Sequence, residues 1–165
     1  IIVTSDHGDA PAAGGIAAFT QAIGVMPTVL DWLGLEVPRS CDGASLTPFL
    51  RGETPPDWRN AVYFEHDFRD VRTQKPETAL GIASDQCAYA AIRDDRFKYV
   101  HFAALPPLLF DIANDPHEQV NLANDPAYTE VALDYARRML DWRLSSGERE
   151  LTNMSVGAGG LFVRK

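Results

Sequence analysis

The sequence predicts an α+β fold in which a small antiparallel sheet packs against a C-terminal helix. Four short stretches rich in β-branched and aromatic residues lie in a run, at residues 61–65, 89–93, 97–101 and 108–111. The polar triplet Asp94-Asp95-Arg96 joins the second and third of them as a hairpin turn. A run of strands followed by a helix is typical of α+β architectures.

The C-terminal helix is predicted from its cap and from its apolar spacing. Asp125 precedes Pro126, which is the usual order of a capping residue and a first helical residue. An apolar stripe then recurs at helical spacing, formed by Tyr128, Ala132, Tyr135, Met139 and Trp142. On the outer side, Asp134 and Arg138 are expected to pair because they lie four residues apart.

Before the sheet, the sequence predicts a strand, a loop and two helices. Residues 1–4 form a β-branched run typical of a buried strand, and residues 9–15 form a loop rich in Ala, Pro and Gly. A helix is expected over 19–33, with Pro27 in its first turn and Gly34 just beyond its end. A second, over 45–50, would be capped by Ser45 and end at Gly52.

Two polar or glycine-rich segments are predicted to lack a role in the core. Residues 67–84 read as a surface excursion between strands. From Gly147 onward the sequence predicts a flexible tail with a small apolar end, Leu161-Phe162-Val163, which could contact another copy of the chain and so support a homo-oligomer.

Composition argues against several classes of partner. The net charge is −8, from 23 acidic and 15 Lys or Arg residues, and no basic tract interrupts it, so no nucleic acid is expected. No apolar run approaches the roughly 20 residues of a membrane span, so no membrane partner is expected either. Cys41 and Cys87 have no metal-binding or disulfide pattern. The compartment stays open, with a cytoplasmic location preferred because no cysteine pairing is suggested.

Asp6-His7-Gly8 is the sequence's candidate for half of a metal site. At a strand end, Gly8 lets the chain turn, so that a carboxylate oxygen of Asp6 and an imidazole nitrogen of His7 can face one ion. The alternative is a turn in which Asp6 accepts backbone hydrogen bonds. Two ligands are also too few, since zinc takes about four and calcium about six to eight.

No nucleophile is evident elsewhere. A Gly-x-Ser-x-Gly elbow is absent, and Ser45 reads better as a helix cap. The glycine-rich stretch near the C-terminus follows no strand and is not a phosphate loop. His66, His101 and His117 make no chelating pair, so structural or surface roles are expected for them.

Several separated motifs together resemble the sulfatase branch of the alkaline-phosphatase-like superfamily. They include Ser5-Asp6-His7-Gly8, Met26-Pro27-Thr28 and Asp94-Asp95-Arg96-Phe97-Lys98-Tyr99. The matching segments run in family order over 3–9, 26–35, 41–50, 91–99 and 109–122. Within the family, the chain most resembles phosphonate monoester hydrolases and arylsulfatases, through Tyr99-Val100-His101-Phe102 and Trp142-Arg143.

This resemblance implies a metal-dependent ester hydrolase. In the family, the residues matching Asp6 and His7 bind one divalent cation, calcium or a transition metal such as manganese. The ion orients the ester oxygens and helps to activate a formylglycine nucleophile made from a cysteine.

Three features depart from the family pattern. The motif Cys-x-Pro/Ser-x-Arg is absent, so neither Cys41 nor Cys87 can be the formylglycine, and no catalytic residue is assigned. The stretch between Asp6 and Pro27 is short where the family has several tens of residues. Gly24 stands where the family usually has Asp, which should cost only a few tenths of a kcal/mol because glycine is tolerated as a helix cap.

The resulting hypothesis is that the chain is the C-terminal part of a hydrolase of sulfate or phosphonate/phosphate esters and is inactive alone. Its parts would be 1–60, a remnant of the α/β catalytic domain; 61–146, the sheet and helix; and 147–165, the tail. The ester substrate would bind through an N-terminal half. The alternative is a non-catalytic interaction or assembly module, and the coding sequence upstream of Ile1 would discriminate between them.

Overall fold

The computed structural model describes residues 18–38, 40–146 and 154–163. The strands are β1 (Val62–Asp67), β2 (Ala88–Arg93), β3 (Phe97–Phe102), β4 (Leu108–Asp111), β5 (Met154–Gly157) and β6 (Gly160–Val163). The α-helices are α1 (Val25–Trp32), α2 (Thr47–Leu50), α3 (Lys75–Leu80) and α4 (Thr129–Ser146). Short 3₁₀ turns cover Ala22–Gly24, Ser84–Gln86 and Pro126–Tyr128. None of the described helices combines the length and the apolar character that crossing a membrane requires.

The four central strands form one antiparallel sheet in the order β1-β2-β3-β4, each joined to its neighbour along the chain. The predicted hairpin is confirmed. Its turn is closed from both sides, since the Asp94 N–H donates to the Phe97 carbonyl and the Phe97 N–H donates to Asp94 Oδ1, each at 3.0 Å. Ile92 lies opposite Tyr99, and Tyr99 lies opposite Leu109, so these three side chains share one face.

Helix α4 covers that face and completes the core. Tyr135 and Met139, both from the predicted apolar stripe, are buried against the sheet. Trp142, one turn further on, stacks on Tyr63 of β1 with ring centroids 4.9 Å apart. The buried cluster comprises Ala61, Ala90, Ile92, Phe97, Tyr99, Leu109, Tyr135 and Met139. The α+β fold predicted from the sequence is therefore confirmed.

The predicted cap of α4 is also confirmed, but the predicted pair of Asp134 and Arg138 is not. Asp125 Oδ1 accepts a hydrogen bond from the Ala127 N–H at 2.9 Å, and the turn starting at Pro126 leads into the helix. The Arg138 guanidinium turns towards the sheet and lies 2.9 Å from Asp94 Oδ2. A half-buried partner on the hairpin displaces the local one because the ion pair is less exposed to water there.

The first predicted helix is shorter than expected. An extended residue, Gln21, precedes the 3₁₀ turn, and α1 begins only at Val25. Pro27 does lie in the first turn, and Gly34 ends the helix with φ +70°. A methyl group on Gly24 would lie 2.9 Å from the Ala44 carbonyl oxygen, so glycine is favoured here by close packing as well as by its position before the helix.

A second glycine explains how the segment after α1 folds back onto it. A methyl group on Gly43 would lie 2.0 Å from the Ile23 carbonyl oxygen, so only glycine allows this approach. The buried Thr28 hydroxyl then links the two segments, because it donates to the Gly24 carbonyl at 2.5 Å and accepts from the Leu46 N–H at 2.8 Å.

The remaining differences from the sequence predictions are local. Helix α2 begins at Thr47, whose N–H donates to the Ser45 hydroxyl at 3.1 Å, so Ser45 supports the helix start from one residue before the N-cap. The predicted surface excursion contains α3, which ends at Gly81 in a left-handed conformation. The predicted flexible tail contains the antiparallel β5–β6 hairpin, in which Gly157 lies opposite Gly160.

Candidate functional site

The predicted metal half-site, Asp6 and His7, lies outside the described residues. Within residues 18–38, 40–146 and 154–163, no three His, Cys, Asp or Glu side chains come together in a way that could hold a metal ion. His66, His101 and His117 are all exposed, as expected for surface residues.

The most highly connected polar group is the Asp94 carboxylate at the hairpin turn. Its Oδ2 accepts from the Tyr135 hydroxyl at 2.5 Å and from Arg138 at 2.9 Å. Its Oδ1 accepts from the backbone N–H groups of Arg96 and Phe97, both at 3.0 Å. Burial opposes ionisation, but these hydrogen bonds outweigh it and hold the pKa of Asp94 below its ordinary value.

The two partners of Asp94 are affected in turn. Burial, followed by the hydrogen bond to the Asp94 carboxylate, raises the pKa of the Tyr135 phenol well above its ordinary value. Tyr135 therefore stays protonated and serves as a donor. The network fastens α4 to the β2–β3 turn, because both carboxylate oxygens of Asp94 accept hydrogen bonds and one of them joins two side chains of the helix.

Neither cysteine forms a disulfide, as expected from their spacing. Cys87 is buried, and its thiol donates weakly to the Ala83 carbonyl at 3.6 Å. Burial and the nearby Glu77 carboxylate raise the pKa of the Cys87 thiol. A thiol held protonated in this way is a poor nucleophile.

Glu77 of α3 is a buried acid that the sequence did not point to. One carboxylate oxygen accepts from the Ser84 hydroxyl at 3.0 Å and from the Asp70 N–H at 3.3 Å. The other oxygen, Oε2, is buried and has no hydrogen-bond partner in the described structure. Glu77 ties both ends of the segment between β1 and β2 to α3. The sequence does contain a signal for that helix, because Pro76 suits a first helical turn and Gly81 suits a helix end.

A groove of about 910 Å³ lies between the segment before α1, the start of β1 and the end of α4. Gln21 bridges its two sides: its Nε2 donates to the Tyr63 carbonyl at 2.5 Å, and its Oε1 accepts from Arg59 at 2.6 Å. The Tyr63–Trp142 stack and the Arg143–Glu65 ion pair, 2.8 Å long, line the other side. Sequence reasoning missed this groove because its walls come from distant parts of the chain.

Arg59 is the unusual charge in the groove. Its guanidinium is partly buried and lies 5.1 Å from the centre of the Trp58 ring. Within the described part of the chain, its hydrogen-bond partner is the neutral amide of Gln21. No carboxylate of the described residues lies within salt-bridge distance of it. Burial lowers the pKa of Arg59, but a guanidinium remains charged. Among the described residues, this partly desolvated positive charge therefore has no counter-charge.

Comparison with known proteins identifies the family of the chain. Residues 8–145 match the family described as N-sulphoglucosamine sulphohydrolase, C-terminal. The chain belongs to this sulphohydrolase family. The match spans the sheet, α4 and the helices that precede them, so the whole described core is typical of the family.

Other relatives agree with this assignment. The chain is 49% identical over 164 residues to the multifunctional alkaline phosphatase superfamily protein PehA of Trinickia caryophylli. This alignment covers 99% of the chain and 32% of PehA. The phosphonate monoester hydrolase of Agrobacterium radiobacter superposes with a TM-score of 0.81 at 43% identity, over 91% of this chain and 30% of that one. The phosphonate monoester hydrolase of Silicibacter pomeroyi superposes with a TM-score of 0.80 at 37% identity, over 89% of this chain and 29% of that one.

The chain spans about a third of the length of each of these relatives. The motifs indicated a resemblance to the C-terminal part of phosphonate monoester hydrolases and sulfatases, and these matches confirm it. About two thirds of each relative therefore lie outside the match.

Proposed function

We propose that this chain belongs to a hydrolase of sulfate or phosphonate/phosphate esters and that it does not turn over such esters alone. The observation that carries the proposal is the match over nearly the whole chain to PehA and to two phosphonate monoester hydrolases. The sequence contains no Cys-x-Pro/Ser-x-Arg motif, and the described residues hold no group that could replace its nucleophile.

Asp6 and His7 are proposed as two ligands of one divalent cation. A carboxylate oxygen suits calcium and manganese, and an imidazole nitrogen suits transition metals, so the donor pair fits the ions that the resemblance implies. Such an ion would neutralise and orient the ester oxygens. Two donors do not complete a coordination shell, so the remaining ligands must come from other polypeptide.

The organisation of the chain into 1–60, 61–146 and 147–165 is also proposed. All four strands of the central sheet and α4 fall within 61–146, which supports the second unit. Its boundary with the first is crossed by the hydrogen bond from Gln21 to the Tyr63 carbonyl, so the two pack together rather than being joined only by a linker.

A chimera tests the catalytic proposal. In this protein, hereafter the chimera, the 165-residue chain replaces the 164 residues that it matches in PehA. We expect the chimera to hydrolyse aryl sulfates or phosphonate monoesters with added manganese or calcium, and the 165-residue chain to show no turnover.

Ligand variants of the chimera test the metal site. Asp6→Ala and His7→Ala should each weaken manganese binding, measured by calorimetry, by roughly 100-fold or more, since each removes a direct ligand. The exposed Asp57→Asn serves as the control. Metal-dependent turnover that survives Asp6→Ala would show that the assigned site is wrong.

A contact between copies through the tail remains a separate proposal. Val156 and Phe162 of the β5–β6 hairpin are 84% and 56% exposed, and a two-stranded ribbon is only marginally stable in water unless it packs against something else. If the hairpin pairs with another copy, sedimentation equilibrium should show a dimer or larger assembly that Phe162→Ser converts to monomer. A monomeric parent chain would contradict this.

A further inference from the structure

The outer side of helix α1 is an apolar surface that the other described elements cover only in part, since Val29 and Leu30 are half-buried. Its inner side is buried through Pro27 and Thr28. On the opposite side, four apolar residues recur at the spacing i, i+3, i+4, i+7, and we call them the α1 outer stripe: Met26, Val29, Leu30 and Leu33. Met26 and Leu33 are 54% and 65% exposed. A helix with one side already buried and an exposed apolar stripe on the other is typical of one packed between two layers.

The groove that holds Arg59 adjoins this stripe. Ile23, in the turn leading into α1, lines the groove and is 52% exposed. Ile23 lies three residues before Met26, so an apolar residue of the groove immediately precedes the stripe, and the groove adds the positive charge of Arg59. A complementary surface would be apolar along its length and would carry a carboxylate opposite Arg59.

We propose that this surface binds a folded polypeptide, the portion that the relatives carry outside the matched third, and that a carboxylate of that portion pairs with Arg59. The proposal rests on the proposed function, because it takes the chain to work together with such a portion. Two observations favour a polypeptide over a small molecule. The stripe extends about 10 Å along the helix, and each relative has about two thirds of its length available to cover it.

Hydrogen exchange at α1 can be compared between the chimera and the 165-residue chain. We expect the amides of α1 to exchange at least about 100-fold more slowly in the chimera than in the 165-residue chain, because the outer stripe becomes covered. The readout needs neither metal nor turnover, so it can succeed or fail independently of the test on Asp6 and His7. Equal exchange of α1 in both proteins would overturn the proposal, and so would a chimera that fails to fold where PehA folds.

Charge variants then test the two parts of the surface. In the chimera, Leu33→Glu and Arg59→Glu should lower the urea concentration at the unfolding midpoint, whereas Arg59→Lys should largely preserve it. The exposed Val71→Glu and Arg72→Glu are matched controls that should leave it unchanged.

The same variants in the 165-residue chain separate docking from a purely internal role. There, Leu33→Glu should have no effect, and Arg59→Glu should cost only its hydrogen bond to Gln21. Equal loss in both contexts would overturn the proposal. A 165-residue chain that self-associates and becomes monomeric on Leu33→Glu would also overturn it, because a second copy would then be the occupant.

Discussion

At the scale of single residues, the Asp94 carboxylate is the group that joins the hairpin turn of the sheet to α4. It lies in a turn of the sheet and accepts hydrogen bonds from two side chains of α4 that are more than 40 positions away in sequence. With its side chain 17% exposed, the ion pair to Arg138 is shielded enough to contribute more than a surface pair. Removing its charge leaves Arg138 without its anion.

Asp94→Asn should lower the free energy of unfolding by about 2 kcal/mol, the usual value of a hydrogen-bonded charged group. Urea unfolding of the 165-residue chain measures it. Asp95→Asn, the exposed neighbour in the same turn, should change the free energy by less than about 0.5 kcal/mol. Equal losses for the two variants would mean that the network does not stabilise the fold.

The raised pKa of Tyr135 predicts a loss of stability at alkaline pH. The phenol is harder to ionise in the folded than in the unfolded chain. Its contribution is therefore complete below the ordinary pKa of about 10 and is lost as pH rises through that value towards the folded pKa. Between about pH 8 and pH 11, the unfolding free energy should fall less steeply in Tyr135→Phe than in the parent or in Tyr128→Phe. Parallel pH profiles would contradict the assignment.

At the scale of elements, α4 holds the sheet by one narrow face. Met139 is 5% exposed and touches the core, whereas Leu140, the next residue, is 57% exposed. The Tyr63–Trp142 stack extends the same contact to the edge strand β1. The amphipathic pattern of α4 is thus matched by its packing, since Met139 is buried and Leu140, of similar size, faces solvent.

Met139→Ala should lower the free energy of unfolding by about 3 kcal/mol because it empties a packed site. Leu140→Ala should change it by less than about 0.5 kcal/mol, because that side chain already meets water in the 165-residue chain. Thermal or urea unfolding of both variants measures the difference. If Leu140→Ala were the more damaging substitution, the assigned face of α4 would be wrong.

At the scale of the whole molecule, the described chain combines a well-packed sheet-and-helix unit with a helical segment that has an exposed apolar side. The buried cluster is built from residues between 61 and 139. The segment before it is joined to the sheet by the hydrogen bond from Gln21 to the Tyr63 carbonyl, and is held together by the bond from Trp58 to the Phe19 carbonyl and the close approach of Gly43 to Ile23. The two parts should therefore differ in local stability.

Hydrogen exchange of the 165-residue chain should show that difference. The amides shared by β2 and β3 should exchange only on global unfolding, because the two strands pair in the middle of the sheet and the side chains at their centres, from Ala90 to Ile92 and at Tyr99 and Val100, are buried. The amides of α1 and α2 should exchange sooner. The opposite order of protection would mean that the segment before β1 is the stable core of this chain.

Much of the core could be predicted from the sequence because its signals are local. The hairpin at Asp94-Asp95-Arg96, the cap at Asp125 and the stripe through Tyr135 and Met139 each depend on residues within a few positions of one another. The predicted helix over 19–33 was too long because a long-range constraint acts there. The packing of Gly24 and Ile23 against residues 43 and 44 holds the preceding turn in place.

The sequence by itself determined the α+β class, the order of the strands and the motifs that place the chain among sulfatases and phosphonate monoester hydrolases. Only the tertiary structure decided that Arg138 pairs with Asp94 instead of Asp134 and that Glu77 is buried. It also decided that Arg59 lies in a groove where none of the described carboxylates pairs with it. The physical reason is the range of the interactions. Periodicity and capping act over one or two turns, whereas ion pairs and grooves join side chains that only folding brings together.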